Sequence, residues 1–252
     1  MKAAKLFKGI AAALIWLVLW QVLYMAVNKS VLLASPLQTA KALYELMRTS
    51  ALWLSAAGSV ARVAAGFALG AVFGCALAVL THVSDFASVV FKPFLTAVKA
   101  TPVASFIILA FVWLPVTVVP VFTSFLIVLP VFHSSISAAI ETTDKKLLEM
   151  ASAYRMKKSV RLRRIYIPTV MPSFVSCVTA GIGMAWKAGV AAEVICRCRT
   201  SLGGGLYSAK ISLETDKVFA WTVTVIVLSL ILEKAAVALI TRIYNRRRRG
   251  NA

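Results

Sequence analysis

The 252-residue sequence is poor in charge, and poorest in acidic residues. Only 15% of its residues are charged, and 9 acidic residues stand against 28 basic ones. So small a charged fraction, beside 60% hydrophobic residues, excludes an enzyme built on one soluble core and indicates a polytopic membrane protein. A net charge of +19 would suggest nucleic acid in a soluble protein, but no basic groove with interleaved aromatics is present. Nucleic acid is therefore not an expected partner.

Motifs of catalysis and of metal binding are also missing. His82 and His133 are isolated, with no serine or cysteine in a recognisable nucleophile motif, which weakens the hypothesis of an intramembrane enzyme. Cys196 and Cys198 lack the spacing of a zinc site, and we interpret them as small apolar filler. Gly203–Gly205 lacks the phosphate-loop pattern and is predicted to be a flexible outer connector. We expect no metal or cofactor in this chain.

Six apolar runs are long enough to cross a bilayer, given the rise of about 1.5 Å per residue in an α-helix. They are residues 9–27, 55–81, 93–114, 116–139, 167–195 and 218–243. The sequence therefore predicts an all-α integral membrane fold with six transmembrane helices in one domain, residues 1–252. We expect the first run to be an uncleaved span, because no signal-peptidase-like site ends it. Residues 82–92 are predicted to form a short turn, and residues 37–47 a surface helix.

Small residues mark one face of the second run. Its four glycines recur at near-i+4 spacing, and they are Gly58, Gly66, Gly70 and Gly74. Small residues at this spacing let helices approach closely in lipid, so this face predicts a packing seam.

Several ionisable residues lie within the apolar runs, where a charge is expensive. Arg62 and Lys99 lie near the ends of their runs, and we interpret them as snorkelling side chains. Lys187 and Glu193 share one run, but six residues separate them, so they should point to different faces of a helix. Both are candidates for the lining of a translocation pathway, and the charge of Lys187 would suit an anion.

The basic residues are distributed unevenly across the predicted topology. With six spans, 17 of the 28 basic residues fall on the side that holds both termini and the loop between the fourth and fifth spans. Only 7 fall on the other side. Because loops rich in Lys and Arg stay in the cytoplasm, both termini and this loop are predicted to be cytoplasmic.

The longest polar stretch between apolar runs is residues 149–172, EMASAYRMKKSVRLRRIYIPTVMP. Leu147, Ala151 and Tyr154 recur at helical spacing, and Asp144 stands where an N-cap would begin the helix. The pattern predicts a short amphipathic helix whose apolar stripe must be buried, most simply by a partner protein.

A turn near Arg155 and a second, basic helix should follow, and Pro168 is predicted to stop that helix. The basic run 157–164 is explained mainly by membrane topology and by anionic lipid headgroups, which attract each basic residue by about 1 kcal/mol.

This stretch resembles the EAA loop of the permease subunits of bacterial ABC importers. The loop's pattern is E-A-A-x-x-x-G, nine further residues, and then I-x-L-P. Glu149 and Ala151 match the E and the second A, and Ile165 and Pro168 match the I and the P at the same separation. The matching region covers residues 141–168.

In this sequence Met150 replaces the first Ala of the pattern, and Arg155 replaces the Gly. In this family the loop forms a coupling helix that docks into a groove on the ATP-hydrolysing subunit. The resemblance therefore implies a set of residues that couple this chain to an ATPase, namely Glu149, Ala151, Tyr154, Arg155, Ile165 and Pro168.

The resemblance also implies the fold and the partners. The expected fold is that of a type I ABC importer permease, the MetI-like fold, in the bacterial plasma (inner) membrane. The expected partners are a cytoplasmic ATPase dimer that binds ATP and Mg, an external or periplasmic substrate-binding protein, a second permease copy and membrane lipid. The chain itself would be a transport subunit and not an enzyme.

Shorter matches extend the resemblance over nearly the whole chain. They are Ser35-Pro36, Arg62, Pro93, Lys99, Pro102, Ala192-Glu193 and the run 213–220, LETDKVFA. The last two resemble the nitrate, sulfonate and taurine branch of these permeases, which implies a small organic or inorganic anion as substrate. A pyrimidine or thiamine-precursor-like solute remains an alternative, and so does a stand-alone secondary transporter that needs no ATPase.

Overall fold

The computed structural model describes residues 2–249, and in that part of the chain every regular element is helical. The α-helices are α1 Lys2–Val27, α2 Pro36–Met47, α3 Ser50–Val83, α4 Asp85–Ala100, α5 Val103–Trp113, α6 Val119–Glu141, α7 Lys145–Ala153, α8 Lys158–Arg161, α9 Ile167–Ile195, α10 Leu202–Ile211 and α11 Thr215–Arg249. A π-helical segment, Leu162–Tyr166, joins α8 to α9. The prediction of an all-α membrane protein is confirmed.

Four stretches of the described chain are long and apolar enough to cross a membrane. They are Ser50–Val83, Val119–Glu141, Lys158–Ile195 and Thr215–Ala238. Helices α4 and α5 together would make a fifth span, and α1 contributes a shorter apolar stretch, Ala11–Val27. The described chain thus contains four or five candidate spans and one shorter apolar helix, so the predicted number of six spans is approximate.

The third predicted span is not one straight helix. Helices α4 and α5 meet at an angle of 107°. Thr101 adopts an extended conformation at the break, with φ −80° and ψ 131°, because the residue before a proline, here Pro102, is forced out of the helical region.

The prediction of a short turn at residues 82–92 is also wrong. Helix α3 continues to Val83, and only Ser84 leaves the helical conformation before α4 begins. The Ser84 hydroxyl then accepts a hydrogen bond from the Ala87 amide at 3.3 Å, so this one residue ends one helix and caps the next.

One compact unit comprises the chain up to Gly58 together with Arg197–Leu228. The Trp20 indole Nε1 donates a hydrogen bond to the Ala34 carbonyl at 3.0 Å, and its ring stacks on Phe219 at 5.4 Å. The Thr215 hydroxyl donates to the Val31 carbonyl at 2.5 Å. These contacts fix the segment between α1 and α2 against the beginning of α11.

The predicted surface helix is confirmed as α2. Its N-terminus is a capping box, in which the Ser35 hydroxyl accepts from the Gln38 amide and the Gln38 side chain accepts from the Ser35 amide. Pro36 occupies the first turn, where its missing N–H is not needed.

The glycine cluster predicted to be a flexible connector instead lies in the first turn of helix α10, where Gly203 and Gly204 are buried. The Ser201 hydroxyl accepts from the Gly204 amide at 2.8 Å and caps the helix. A Cβ on Gly204 would lie 1.9 Å from the Cys198 carbonyl oxygen, and a Cβ on Gly205 would lie 2.5 Å from the Trp221 ring. These glycines permit close packing and do not confer flexibility.

The second unit comprises Ser59–Cys196 with residues 229–252. Its α3 glycines confirm the predicted seam, because the backbone of α6 lies against them. A Cβ on Gly66 would meet the Val121 carbonyl oxygen at 2.3 Å, and one on Gly74 would meet the Leu129 carbonyl oxygen at 2.7 Å. A side chain on this face would push the two helices apart.

Helix α6 is the centre of this unit. Phe132 is fully buried and makes edge-to-face contacts with Phe67 of α3 and Phe174 of α9, at centroid distances of 5.8 and 5.6 Å. The buried Ser124 hydroxyl donates to the Ala185 carbonyl of α9 at 3.1 Å. Helices α3, α6 and α9 thus share one core.

Candidate functional site

The EAA-like loop contains the short helix that its sequence predicts. Helix α7 begins at Lys145, and the Asp144 carboxylate accepts a hydrogen bond from the Lys146 amide at 2.9 Å. The carboxylate also lies favourably at the positive end of the helix dipole. Asp144 is therefore the N-cap, as predicted.

The C-terminus of α7 is closed by a Schellman motif. The Arg155 amide donates to the Ser152 carbonyl at 3.0 Å, and the Met156 amide donates to the Ala151 carbonyl at 2.9 Å. Arg155 itself has a φ of 50°, the left-handed conformation that this motif requires. The structure thus confirms the predicted turn, and it explains why a glycine suits this position of the EAA pattern.

The predicted apolar stripe of α7 is divided between two environments. Leu147 and Tyr154 are exposed, with 42% and 78% of their surfaces accessible, and Met150 beside them is 47% exposed. Ala151 is only 1% exposed, because it is buried within this chain. The prediction that Ala151 belongs to an outward-facing stripe is therefore wrong, and Met150 takes its place in the exposed row.

Glu149 is exposed, and its carboxylate makes no ion pair within the part of the chain that the structure describes. Ile165 is buried at 7% exposure, and Pro168 is exposed. Of the residues assigned to ATPase coupling, Glu149, Tyr154, Arg155 and Pro168 are thus accessible, whereas Ala151 and Ile165 are buried within this chain.

Pro168 does not stop the second helix, contrary to the prediction. Helix α8, the π segment and α9 form one apolar run from Lys158 to Ile195. Pro168 lies in the first turn of α9, and the Ile167 amide just before it donates to the Leu162 carbonyl, five residues back. Because proline has no N–H to offer to Arg164, the chain continues through a widened turn at this point.

A buried ion pair connects α3 to α9. The Arg62 guanidinium donates to Oε1 of Glu193 from Nε at 3.0 Å and from Nη2 at 2.9 Å, and the Ser59 hydroxyl donates to Oε2 at 2.7 Å. Glu193 is completely buried, and the side chain of Arg62 is 17% exposed. The interpretation of Arg62 as a snorkelling side chain is therefore wrong.

Lys187 lies apart from this ion pair. It is exposed on α9 while its neighbours Trp186 and Ala188 are buried. Its ammonium makes no ion pair or hydrogen bond within the described chain. The structure therefore does not bring Lys187 and Glu193 together, in agreement with their six-residue separation.

The Arg62–Glu193 pair could have been found in the sequence by one signal. Each residue is a lone charge of its sign within an apolar run, and such charges need partners in a membrane protein. The partner lies 131 positions away in the chain, so no local pattern identifies it.

Comparison with known proteins gives a consistent result. Residues 66–250 match the family described as binding-protein-dependent transport system inner membrane component. A probable ABC transporter permease protein of Brucella melitensis is 27% identical over 179 residues, which cover 70% of this chain and 72% of that protein.

Two further relatives carry substrates in their names. A Bacillus subtilis permease protein named for the transport of aliphatic sulfonates is 25% identical over 218 residues, which cover 84% of this chain and 78% of that protein. A nitrate import permease protein of Synechocystis is 24% identical over 208 residues, which cover 76% of this chain and 72% of that protein.

Proposed function

Because the chain belongs to the family of binding-protein-dependent transport system inner membrane components, and is thus an ABC importer permease subunit, we propose that it forms the substrate path of an importer and is driven through α7 by a separate cytoplasmic ATPase. Its relatives are those of the nitrate, sulfonate and taurine branch of these permeases. The chain is a multi-pass membrane protein and a transport subunit, not itself an enzyme.

The geometry of α7 is the observation that supports this coupling role most directly. Both ends of the helix are closed, by Asp144 and by the motif at Arg155, so it is a preformed element. Leu147, Met150 and Tyr154 form an exposed row that suits a groove on a partner protein. The surrounding basic residues favour a cytoplasmic position, where lipid tails are not available to cover this row.

The loop residues divide into contacts and supports. We assign Tyr154 and Glu149 to direct contact with the ATPase, because both are exposed. Ala151 and Ile165 would act indirectly, since their burial within this chain holds α7 in place.

The transport cycle follows from this coupling. ATP would close the ATPase dimer, α7 would move with it, and the path would change from inward to outward access. A binding protein outside the cell would then deliver the substrate. A second permease copy would complete the path, and both termini would lie in the cytoplasm.

The proposed substrate is a small anion, such as a sulfonate, taurine or nitrate. This choice is supported by the names of the relatives and by the exposed cation of Lys187 on α9. We propose Lys187 as a pathway residue. Glu193, whose charge is neutralised by Arg62, would contribute by holding α3 against α9.

Alanine substitutions on α7 test the proposal. Glu149→Ala and Tyr154→Ala should weaken copurification of the ATPase and lower ATP-dependent uptake, with normal insertion of the permease. A loss of about 1–2 kcal/mol in docking, roughly tenfold in affinity, is expected for an exposed aromatic that becomes an interface anchor.

Helix α2 supplies matched controls, because Glu45 and Tyr44 are also an exposed carboxylate and an exposed tyrosine on a short helix. Glu45→Ala and Tyr44→Ala should leave ATPase copurification unchanged. If the α7 variants behave like these controls, α7 is not the coupling element. Uptake that continues with no ATPase present would instead support a stand-alone secondary transporter.

A further inference from the structure

A polar cavity of about 340 Å³ lies between the C-terminal parts of α3 and α6 and the middle of α4. The residues that matter most in its lining are Thr81, Lys92, Lys99, His133, Ser137 and Glu141. The cavity lies entirely within the second compact unit and is separate from the exposed row of α7.

Two cations from one helix face dominate this cavity. Lys92 and Lys99 are seven residues apart on α4, which places them on the same face, two turns from each other. Neither ammonium makes an ion pair within the described chain. Glu141 is the one carboxylate among the lining residues, so the lining carries an excess of positive charge.

Hydroxyl groups complete the lining from the opposite side. The Ser137 hydroxyl is buried and has no hydrogen-bond partner in the described part of the chain. Thr81 and His133 are joined by a contact of 3.0 Å between Oγ1 and Nε2, which fixes the imidazole ring in place. A buried hydroxyl without a partner is unusual. Ser137 is a lining residue of the cavity, so rotation of its side chain toward the cavity would let the hydroxyl donate to a bound ligand.

We propose that this cavity binds a small oxyanion, with Lys92 and Lys99 as its cationic ligands and Ser137 as a hydroxyl donor. Two ammonium groups and a hydroxyl match a tetrahedral group such as a sulfonate, sulfate or phosphate, whose oxygens accept several charge-assisted hydrogen bonds. The cavity is too small for a large organic solute, but it accommodates such a group.

Two sources could supply this chemistry. The anion could be the transported solute, in which case the cavity is a site near the cytoplasmic end of the path; this assignment rests on the proposed function and orientation. Alternatively, the same lysines would hold the phosphate of an anionic lipid headgroup. The ligand chemistry is the same in both cases.

Binding can be measured on the full-length permease in nanodiscs of phosphatidylcholine, with radiolabelled sulfate as the probe in equilibrium dialysis. Lys92→Gln and Lys99→Gln should each weaken sulfate binding about tenfold, as expected for the loss of a charge-assisted hydrogen bond. Ser137→Ala should weaken it less, and Lys92→Arg should retain it. Lys41→Gln, at an exposed lysine of α2, is the matched control and should have no effect.

A second arm identifies the source of the anion. Saturable sulfate binding that depends on both lysines supports a site for a free oxyanion. Retention of anionic lipid during purification, lost in the Lys92→Gln/Lys99→Gln double variant, supports a headgroup site. If wild type binds neither, or if the double variant binds both as well as wild type, the proposal is wrong.

The outcome is separable from that of the proposed function. Copurification of the ATPase depends on α7 and not on this cavity, so it should be normal in every cavity variant. A permease that binds sulfate but never associates with an ATPase would contradict the proposed function and leave the anion site intact.

Discussion

The Arg62 guanidinium and the Glu193 carboxylate form a buried ion pair, with two hydrogen bonds of 3.0 and 2.9 Å to a single oxygen. Ser59 satisfies the other carboxylate oxygen. Because Glu193 has no exposure to solvent in the chain, its charge depends on these partners.

Removing the cation from this pair should destabilise the permease strongly. Arg62→Met would leave the Glu193 charge buried without its cation, which typically costs about 3–5 kcal/mol. Thermal unfolding in detergent, followed with a thiol-reactive dye that labels the buried Cys177 as it becomes exposed, would measure the loss.

A double variant serves as the control for this prediction. Arg62→Met/Glu193→Gln removes both charges, so it should be more stable than Arg62→Met alone. If the losses of unfolding free energy caused by Arg62→Met and by Glu193→Gln alone add up to the loss in the double variant, the ion pair does not hold α3 to α9 as described.

Glycine substitutions should distinguish the α3 seam from an open position. A Cβ on Gly70 would lie 2.7 Å from the Val128 Cβ and 2.8 Å from the Phe125 carbonyl oxygen, so Gly70→Ala should destabilise by about 1–3 kcal/mol. Gly183 of α9 faces open space, with no atom within 4 Å of the position that a Cβ would occupy, so Gly183→Ala should stabilise by up to about 1 kcal/mol. Equal melting temperatures for the two variants would contradict the close packing of α3 on α6.

The left-handed conformation of Arg155 predicts a stabilising substitution. Arg155→Gly removes the steric strain of a side chain at φ 50°, a gain of about 1 kcal/mol for the local fold of α7. Slower hydrogen exchange of the amides of residues 145–156 would report this gain. Arg163→Gly, within the π-helical segment, is the control. It should accelerate hydrogen exchange of the amides of its own segment, because glycine weakens a helix.

Lys187 should matter for transport more than for folding. It is exposed on α9, so Lys187→Met should leave the yield of folded complex near wild type while it lowers anion uptake into reconstituted vesicles. Lys234→Met is a matched control, at another exposed lysine within an apolar helix, and should have little effect on uptake. Wild-type uptake by the Lys187 variant would reduce this residue to a packing role.

Cysteine labelling tests the predicted orientation. In a background without the native cysteines, a cysteine at Lys158 should react only from the cytoplasmic side, and one at Ser212 only from outside. Both positions are exposed in the structure, and the expectation follows from the distribution of 17 against 7 basic residues. Labelling of both from the same face would contradict the topology.

Local features of this protein were determined by the sequence itself. The helix caps at Ser35 and Asp144 and the turn at Arg155 depend on residues within a few positions of each other, so their types and spacing identify them. The glycine face of α3 is likewise a periodic signal, and its packing role was predicted correctly. The apolar runs indicate a membrane protein, because the length and apolar composition of a run are enough to identify a candidate membrane span.

Other features were decided only by the tertiary structure. Arg62 was misinterpreted because its partner Glu193 comes from a distant helix, and the glycines of α10 were misinterpreted because their close neighbours, Cys198 and Trp221, are revealed only by the fold. The division of the α7 stripe had the same origin, since helical spacing places Ala151 and Leu147 on one side but does not say which of them the rest of the chain covers. Spacing along a helix fixes the direction in which a side chain points. Its burial and its ion pairs depend on which residues of the other helices lie in that direction.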